Sequence, residues 1–181
     1  MLLDLGCGDG HATAEHRSGG ACVGIDLDAA VLAASPWRDR VTLVCGRAEQ
    51  LPFADGSFRS ILSGVAVPYM DIPKVAAELY RVCAPGATVC LSGHGMEFTL
   101  RELAQIRRPV PLVYRLYVLA NGLCFHLTGR MFRFPFNRKR IESFQTAKSF
   151  ARVMRRAGFT EVGIVPRSPL TVCAKKPLSS H

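Results

Sequence analysis

The chain has 181 residues, a mass of 19.8 kDa and a formal net charge of +9 at neutral pH. With 49% hydrophobic and 20% charged residues it is globular, not disordered, and its length predicts one domain with a substantial core. The longest charge-free stretch of its apolar middle, Leu116–Gly129, falls short of the ~20 apolar residues that span a bilayer. Met1 runs straight into Leu-Leu-Asp-Leu, so no secretory leader is expected.

Short apolar runs alternate with helical stretches, which predicts βαβ units on a parallel sheet. Met1–Leu5 is the first strand, ended by glycines, and Ala12–Arg17 is a short helix before a Gly19-Gly20 turn. Ala21–Ile25 is the second strand and closes on Asp26; Asp28 N-caps a helix over Ala29–Ala34 that stops before Pro36. Val41–Cys45 is a third strand, Glu49–Ser57 a loop marked by Pro52 and Asp55-Gly56, and Ser60–Val65 a fourth strand. Pro73 opens a helix that runs through Val82 until Pro85-Gly86 ends it, and Ala87–Ser92 is the fifth strand.

Residues 97–145 show no strand pattern. Glu97–Arg107 reads as a helix, Pro109 and Pro111 break it, and Leu112–Leu127 is a second helix rich in Leu, Tyr and Phe. An aromatic and basic loop, Arg130–Arg140, follows. Thr146–Ala157 is a further helix with Gly158 as its C-cap, then Thr160–Val165 and Leu170–Ala174 form a closing strand pair, and Lys175–His181 is a loose tail. There is no internal repeat.

The charge is unevenly spread. Residues 1–96 carry seven basic and ten acidic side chains, whereas residues 97–181 carry sixteen basic and four acidic. The second half is therefore expected either to meet an anionic partner or simply to be solubilised by its basic face. Seven cysteines, odd in number and with no C-x-x-C, read as reduced and mostly buried, as in an intracellular protein. The five histidines show no metal-ligand spacing, so no metal is expected.

The chemistry concentrates after the first strand, in Asp4-Leu-Gly6-Cys7-Gly8-Asp-Gly10. A dinucleotide fingerprint, G-x-G-x-x-G, would need glycine where His11 stands. Gly6 and Gly8 let the backbone pass close to a ligand, and the Asp4 carboxylate suits a ligand ammonium group. Asp26, 20 residues beyond Gly6, can accept both hydroxyls of a ribose.

The runs DLGCGDG, VGIDLD, GRAEQLPFADGSF and YRVCAPG, in that order, resemble class I S-adenosylmethionine-dependent methyltransferases of the small-molecule type (methyltransferase type 11-like). The segments LVYRLY and FQTAKSFARVMRRAGF are further similar to ubiquinone/menaquinone C-methyltransferases. The resemblance implies an α/β, Rossmann-like, doubly wound and mostly parallel sheet of seven strands with the last antiparallel. It implies a single domain over 1–181, with residues 97–145 as a helical acceptor-site insert between strands 5 and 6. The cofactor implied is S-adenosylmethionine: Asp4, Gly6, Cys7 and Gly8 for its methionine part, Asp26 for the ribose, Leu27 on the adenine face, Ala48 and Glu49 at the adenine edge, and Ser63, Gly64 and Val65 under the sulfonium.

This sequence departs from the family pattern at four places. Arg47 stands where an Asp usually accepts from the adenine amino group, so that Glu49 either serves instead or the bond is lost. Arg59 replaces an Asp, Arg81-Val-Cys-Ala-Pro-Gly-Ala87 replaces R-V-L-K-P-G-G, and Pro68-Tyr69 stands where a His pair is common. Family members also carry several tens of residues before the first strand, so the resemblance implies a truncation, a misassigned start or a short form, with a site more open to water.

No catalytic residue is assigned. His126, Tyr114, Tyr117, His94 and Tyr69 are candidate bases, each also explained by packing or a surface hydrogen bond. The apolar helix and its basic, aromatic flanks point to a small apolar or aromatic acceptor, quinol- or lipid-like, in a cytoplasmic protein touching an anionic membrane surface. Nucleic acid, held by the same basic residues, ranks lower; the other readings are a protein methyltransferase and a non-catalytic homologue. The oligomeric state is open.

Overall fold

A computed structural model describes residues 1–15, 20–165 and 169–178. Seven strands form one sheet: β1 (Leu2–Leu5), β2 (Cys22–Asp26), β3 (Thr42–Cys45), β4 (Phe58–Ser63), β5 (Cys83–Gly93), β6 (Thr160–Val165) and β7 (Leu170–Lys175). Their order across the sheet is β3-β2-β1-β4-β5-β7-β6. The pairs from β3 through β5 are parallel, and β7 runs antiparallel to both β5 and β6. The expected doubly wound sheet with an antiparallel last strand is therefore present.

The chain leaves β1 toward β2 on one side and returns to β4 on the other. Strand order reverses there, and a crevice opens beyond the carboxyl ends of β1, β2 and β4, where open α/β sheets bind ligands. The helices are α1 (His11–Glu15), α2 (Ala29–Ala33), α3 (Ile72–Val82), α4 (Met96–Gln105), α5 (Pro109–Thr128) and α6 (Ala147–Arg156). α4 and α5 lie between β5 and β6 in the chain.

Local chemistry explains several boundaries. Asp28 caps α2 by accepting from the Ala30 and Val31 amides. Thr146 and Ser149 close a reciprocal capping box at α6. α3 buries Ile72, Val75, Ala76, Leu79 and Val82, an i, i+3, i+4, i+7 stripe that faces the sheet. Leu3, Leu5, Ile25, Ile61, Val89 and Leu91 supply the sheet side of that core.

Arg81, at the end of α3, fixes the loop that leads into β4. It donates to both oxygens of Glu78, to Asp55, and to the Leu51 and Phe53 carbonyls. The bidentate bond from Arg81 holds the Glu78 carboxyl below its ordinary range.

Four expectations change. Pro109 and Pro111 do not merely break a helix; they occupy the first turn of α5, where no intrahelical donor is required. β5 begins at Cys83, ahead of Pro85-Gly86, with a register shift against β4. The cysteines are not all reduced: Cys90 and Cys173 sit opposite each other on β5 and β7 and are joined by a disulfide. The segment from Lys175 to Leu178 is not loose, since Lys176 donates from Nζ to the Tyr80 and Cys83 carbonyls and its backbone pairs with Gly86 and Ala87. Gly19 of the expected Gly19-Gly20 turn, the end of the first helix at Arg17 and the last three residues lie outside the described residues.

Candidate functional site

The glycine loop turns at the carboxyl end of β1. Gly6 and Gly8 have φ of +73° and +56°, a region that side chains rarely enter. The Gly6 and Cys7 amides both donate to the Ile25 carbonyl of β2, at 2.8 and 3.1 Å. A Cβ on Gly6 would sit 2.2 Å from the Ala66 Cβ, so the loop presses against the segment after β4.

Asp26 ties this loop to the next helix. Its Oδ2 accepts from the Gly8 amide at 2.9 Å and its Oδ1 from the Asp28 amide at 3.0 Å. Each oxygen retains a second lone pair. Asp28, not Asp26, caps the helix, so the strand-end carboxylate is not consumed by capping.

A cleft of about 220 Å³ lies over the strand ends. Leu5, Ile25, Leu27, Ala48, Ala66, Met70 and Ile141 form its apolar wall; Asp26, Arg47, Glu49, Tyr69 and Lys139 supply its polar groups. Of the eleven residues singled out from sequence, Gly6, Asp26, Leu27, Ala48 and Glu49 line this cleft. The other six are not part of its lining, and Val65 among them is exposed and lines a separate hollow with His94 and Phe98. Asp4 is 9% exposed and accepts from the Thr13 hydroxyl at 2.6 Å. Cys7 packs on Gly24, and its burial pushes the thiol up to about 12. Gly8 serves Asp26, Ser63 is buried and donates to the Leu5 carbonyl, and Gly64 is exposed at the end of β4.

Arg47 and Glu49 form a 3.5 Å ion pair, and the other oxygen of Glu49 accepts from the Asp71 amide. Glu49, the acceptor expected in place of the family's usual Asp, thus takes one partner on each oxygen and, like Asp26, keeps a second lone pair on each.

A second hollow of about 340 Å³ is lined by Tyr69, Tyr114, Lys139, Arg140, Ile141 and Glu142. It adjoins the cleft through Tyr69, Lys139 and Ile141. Glu142 is 5% exposed and accepts from the Tyr114 hydroxyl at 2.8 Å and from Arg115 Nη1 at 2.7 Å, while Arg115 Nη2 pairs with Glu102. Burial, then the Glu142 charge, raises the Tyr69 phenol above its ordinary value; burial and the bond to Glu142 raise Tyr114 further. Both phenols are therefore protonated at neutral pH. Burial holds the His94 imidazole below its usual value, so it is neutral there; it stacks on Phe98 at 4.0 Å and meets Tyr69 edge-on. His126 bonds Thr146 at the cap of α6 and Tyr117 bonds the Phe132 carbonyl, so both serve packing.

Sequence reasoning missed Ala66 and Met70, which have no motif of their own, and the buried run Ile141–Gln145. That run crosses the carboxyl edge of the sheet: the Ser143 amide donates to the Pro68 carbonyl and the Gln145 amide to the His94 carbonyl.

Residues 3–91 match a protein family described as a methyltransferase domain. This match runs from β1 through most of β5, just under half of the chain. The domain is 36% identical over 103 residues to a demethylmenaquinone methyltransferase of Symbiobacterium thermophilum, covering 50% of this chain and 41% of that one. It is 38% identical over 111 residues to a malonyl-[acyl-carrier protein] O-methyltransferase of Halorhodospira halophila, covering 56% and 37%. The chain thus spans about two fifths of the length of these curated relatives. Its fold matches a crystal structure of a Methanosarcina mazei S-adenosylmethionine-dependent methyltransferase with a TM-score of 0.62 at 20% identity, covering 98% of this chain and 92% of that one.

Proposed function

We propose that this methyltransferase domain binds S-adenosylmethionine in the cleft and directs its methyl group to a small apolar or aromatic acceptor, quinol- or lipid-like, in the adjoining hollow. The observation that carries the reading is Asp26, whose two oxygens each take one backbone amide and keep a second acceptor position at the cleft. A pair of ribose hydroxyls is the natural occupant of those positions.

The remaining residues fit the cofactor. Leu27 is an apolar side chain, 62% exposed, beside Asp26 in the cleft, and an adenine face would cover it. Ala48 and Glu49 lie at the adenine edge. Gly6 and Gly8 admit the methionine part, with Asp4 and Cys7 supporting the loop from beneath, and Ser63 and Gly64 lead from β4 toward the sulfonium. When bound, the cofactor supplies a methyl group on an already activated leaving group. The chain's own contribution is alignment and the exclusion of water. Neutral His94 meets Tyr69 edge-on but lines a separate hollow with Val65 and Phe98, so no general base is assigned.

In this reading residues 1–181 are one domain, and residues 97–145 are the insert that shapes the acceptor site. The protein works in the cytoplasm, in peripheral contact with an anionic membrane surface, where quinol- and lipid-like acceptors partition. Lys139 and Arg140 in the hollow favour a second acceptor reading: an acyl carboxylate, as in the name of the Halorhodospira relative. Transfer of labelled methyl from S-adenosylmethionine to a demethylquinol and to a malonyl thioester separates the two. Label on the quinol alone supports the first reading, label on the thioester supports the second, and label on neither overturns both.

A further inference from the structure

α5 is apolar on all sides, a pattern that belongs to a helix buried on all sides. The structure covers only one of its faces. Tyr117, Val118, Asn121, Gly122 and Phe125 are buried against the protein. Leu112, Val113, Leu116, Leu123 and Leu127 point outward with 39% to 64% of their surface exposed. Their spacing places them on one stripe of a helix about 30 Å long, and no exposed position of α5 among the described residues is charged. α4 flanks the stripe through the Glu102–Arg115 pair, and Phe132 flanks the other side through Tyr117. Phe136, 81% exposed, packs on Phe134 in the loop that follows α5.

The charge around the stripe selects its partner. Arg107 and Arg108 are exposed at the start of α5, and Arg130 and Arg138 beyond its end. Three of the four acidic residues of this half of the chain are taken up by ion pairs: Glu102 and Glu142 with Arg115, and Glu161 with Lys175. An apolar face rimmed by cations complements a surface that is apolar within and anionic at its edge.

We infer that the outer face of α5 is the docking surface of the protein for an anionic lipid bilayer, with its leucines in the acyl boundary and the rim arginines among the headgroups. The inference rests on the peripheral contact in the proposed function and assigns it to specific residues. It has a consequence for the site: the loop that follows α5 reaches the cleft through Lys139 and Ile141, so docking sets the acceptor hollow close to the bilayer.

The test is flotation of the full chain with vesicles of phosphatidylcholine containing about 30% phosphatidylglycerol, and with phosphatidylcholine alone. Expected is binding to the anionic vesicles, reduced about tenfold or more in the exposed-site double variant Leu116→Glu/Leu123→Glu and in Arg107→Gln/Arg108→Gln. Thermal melting and S-adenosylmethionine titration of the same variants should match the parent, which separates loss of docking from loss of the fold or of the cofactor site. If the parent binds no vesicles, both the docking face and the peripheral contact fall. If the parent binds and the leucine variant binds equally, the contact stands and this face is wrong. Equal binding to neutral vesicles removes the electrostatic part of the inference. A parent that is dimeric in light scattering, ignores vesicles and becomes monomeric on Leu116→Glu/Leu123→Glu would show that the stripe joins two copies instead.

Discussion

In residues 1–95 the groups around the cleft are positioned by the backbone beside them: Asp26 closes β2, Gly6 and Gly8 turn immediately after β1, and Asp28 caps the helix that follows. In residues 97–145 the polar groups are fixed by partners far along the chain. Asn121 of α5 holds the Glu142 carbonyl and the Phe132 amide, and Gln145 holds the His94 amide. In the proposed function the first region is the cofactor platform, turned and capped locally and tied across by the bond from Gly8 to Asp26. The second is a cover assembled by tertiary contacts, and its stability and specificity can change without disturbing the platform.

The largest expected effect strikes the platform. Gly6→Val forces a β-branched residue to φ +73° and drives its Cβ into Ala66. It should lower stability by about 3 kcal/mol, read by chemical denaturation, and abolish cofactor binding. A loss under about 1 kcal/mol would mean that the loop does not press on Ala66 as described.

Glu142→Ala strikes the cover. It leaves the Tyr114 hydroxyl and Arg115 Nη1 without their buried acceptor, at a cost of about 2 kcal/mol, because Glu102 still pairs Arg115. Hydrogen exchange should quicken in α5 and leave β1 and β2 protected. Uniform loss of protection would show that the two regions unfold as one.

Arg47→Ala should change cofactor affinity by less than about 1 kcal/mol, since its pair with Glu49 is half in water. A larger loss would make Arg47 a cofactor ligand in its own right. The smallest effect is chemical. Burial pushes the Cys7 and Cys83 thiols up to about 12, so near pH 8.5, at about the ordinary value of a thiol, both remain protonated. Alkylation there should mark exposed Cys45 first and reach Cys7 and Cys83 only as the pH rises much further or the chain unfolds. Early labelling of Cys7 would contradict its packing on Gly24.

The same contrast decides what was legible in the sequence. The strands β1 to β5, α2 with its Asp28 cap, α3 with its buried stripe and the positions of Gly6 and Asp26 follow from periodicity and turn chemistry, which act over a few residues, whereas the seven-stranded doubly wound sheet rested on the family resemblance. The motif YRVCAPG was readable as a pattern, but the reason for its arginine, three bonds that fasten the Leu51–Asp55 loop and two to Glu78, needs the fold. The run Ile141–Gln145 carries a Glu, a Ser and a Gln and reads as surface, yet it is buried: Glu142 and Gln145 Oε1 find distant partners, and Gln145 Nε2 bonds Ser143 within the run. The disulfide was missed for a similar reason: pairing of Cys90 with Cys173 depends on the antiparallel register of β5 and β7, which spacing alone does not reveal.

The central claim is that Asp26 holds the ribose of S-adenosylmethionine. It is tested by calorimetric titration of the parent and of Asp26→Ala, with melting curves to confirm that both are folded. Expected is micromolar binding by the parent, weakened by about 1.5–3 kcal/mol in the variant. Equal affinity in parent and variant would contradict the assignment of the cleft.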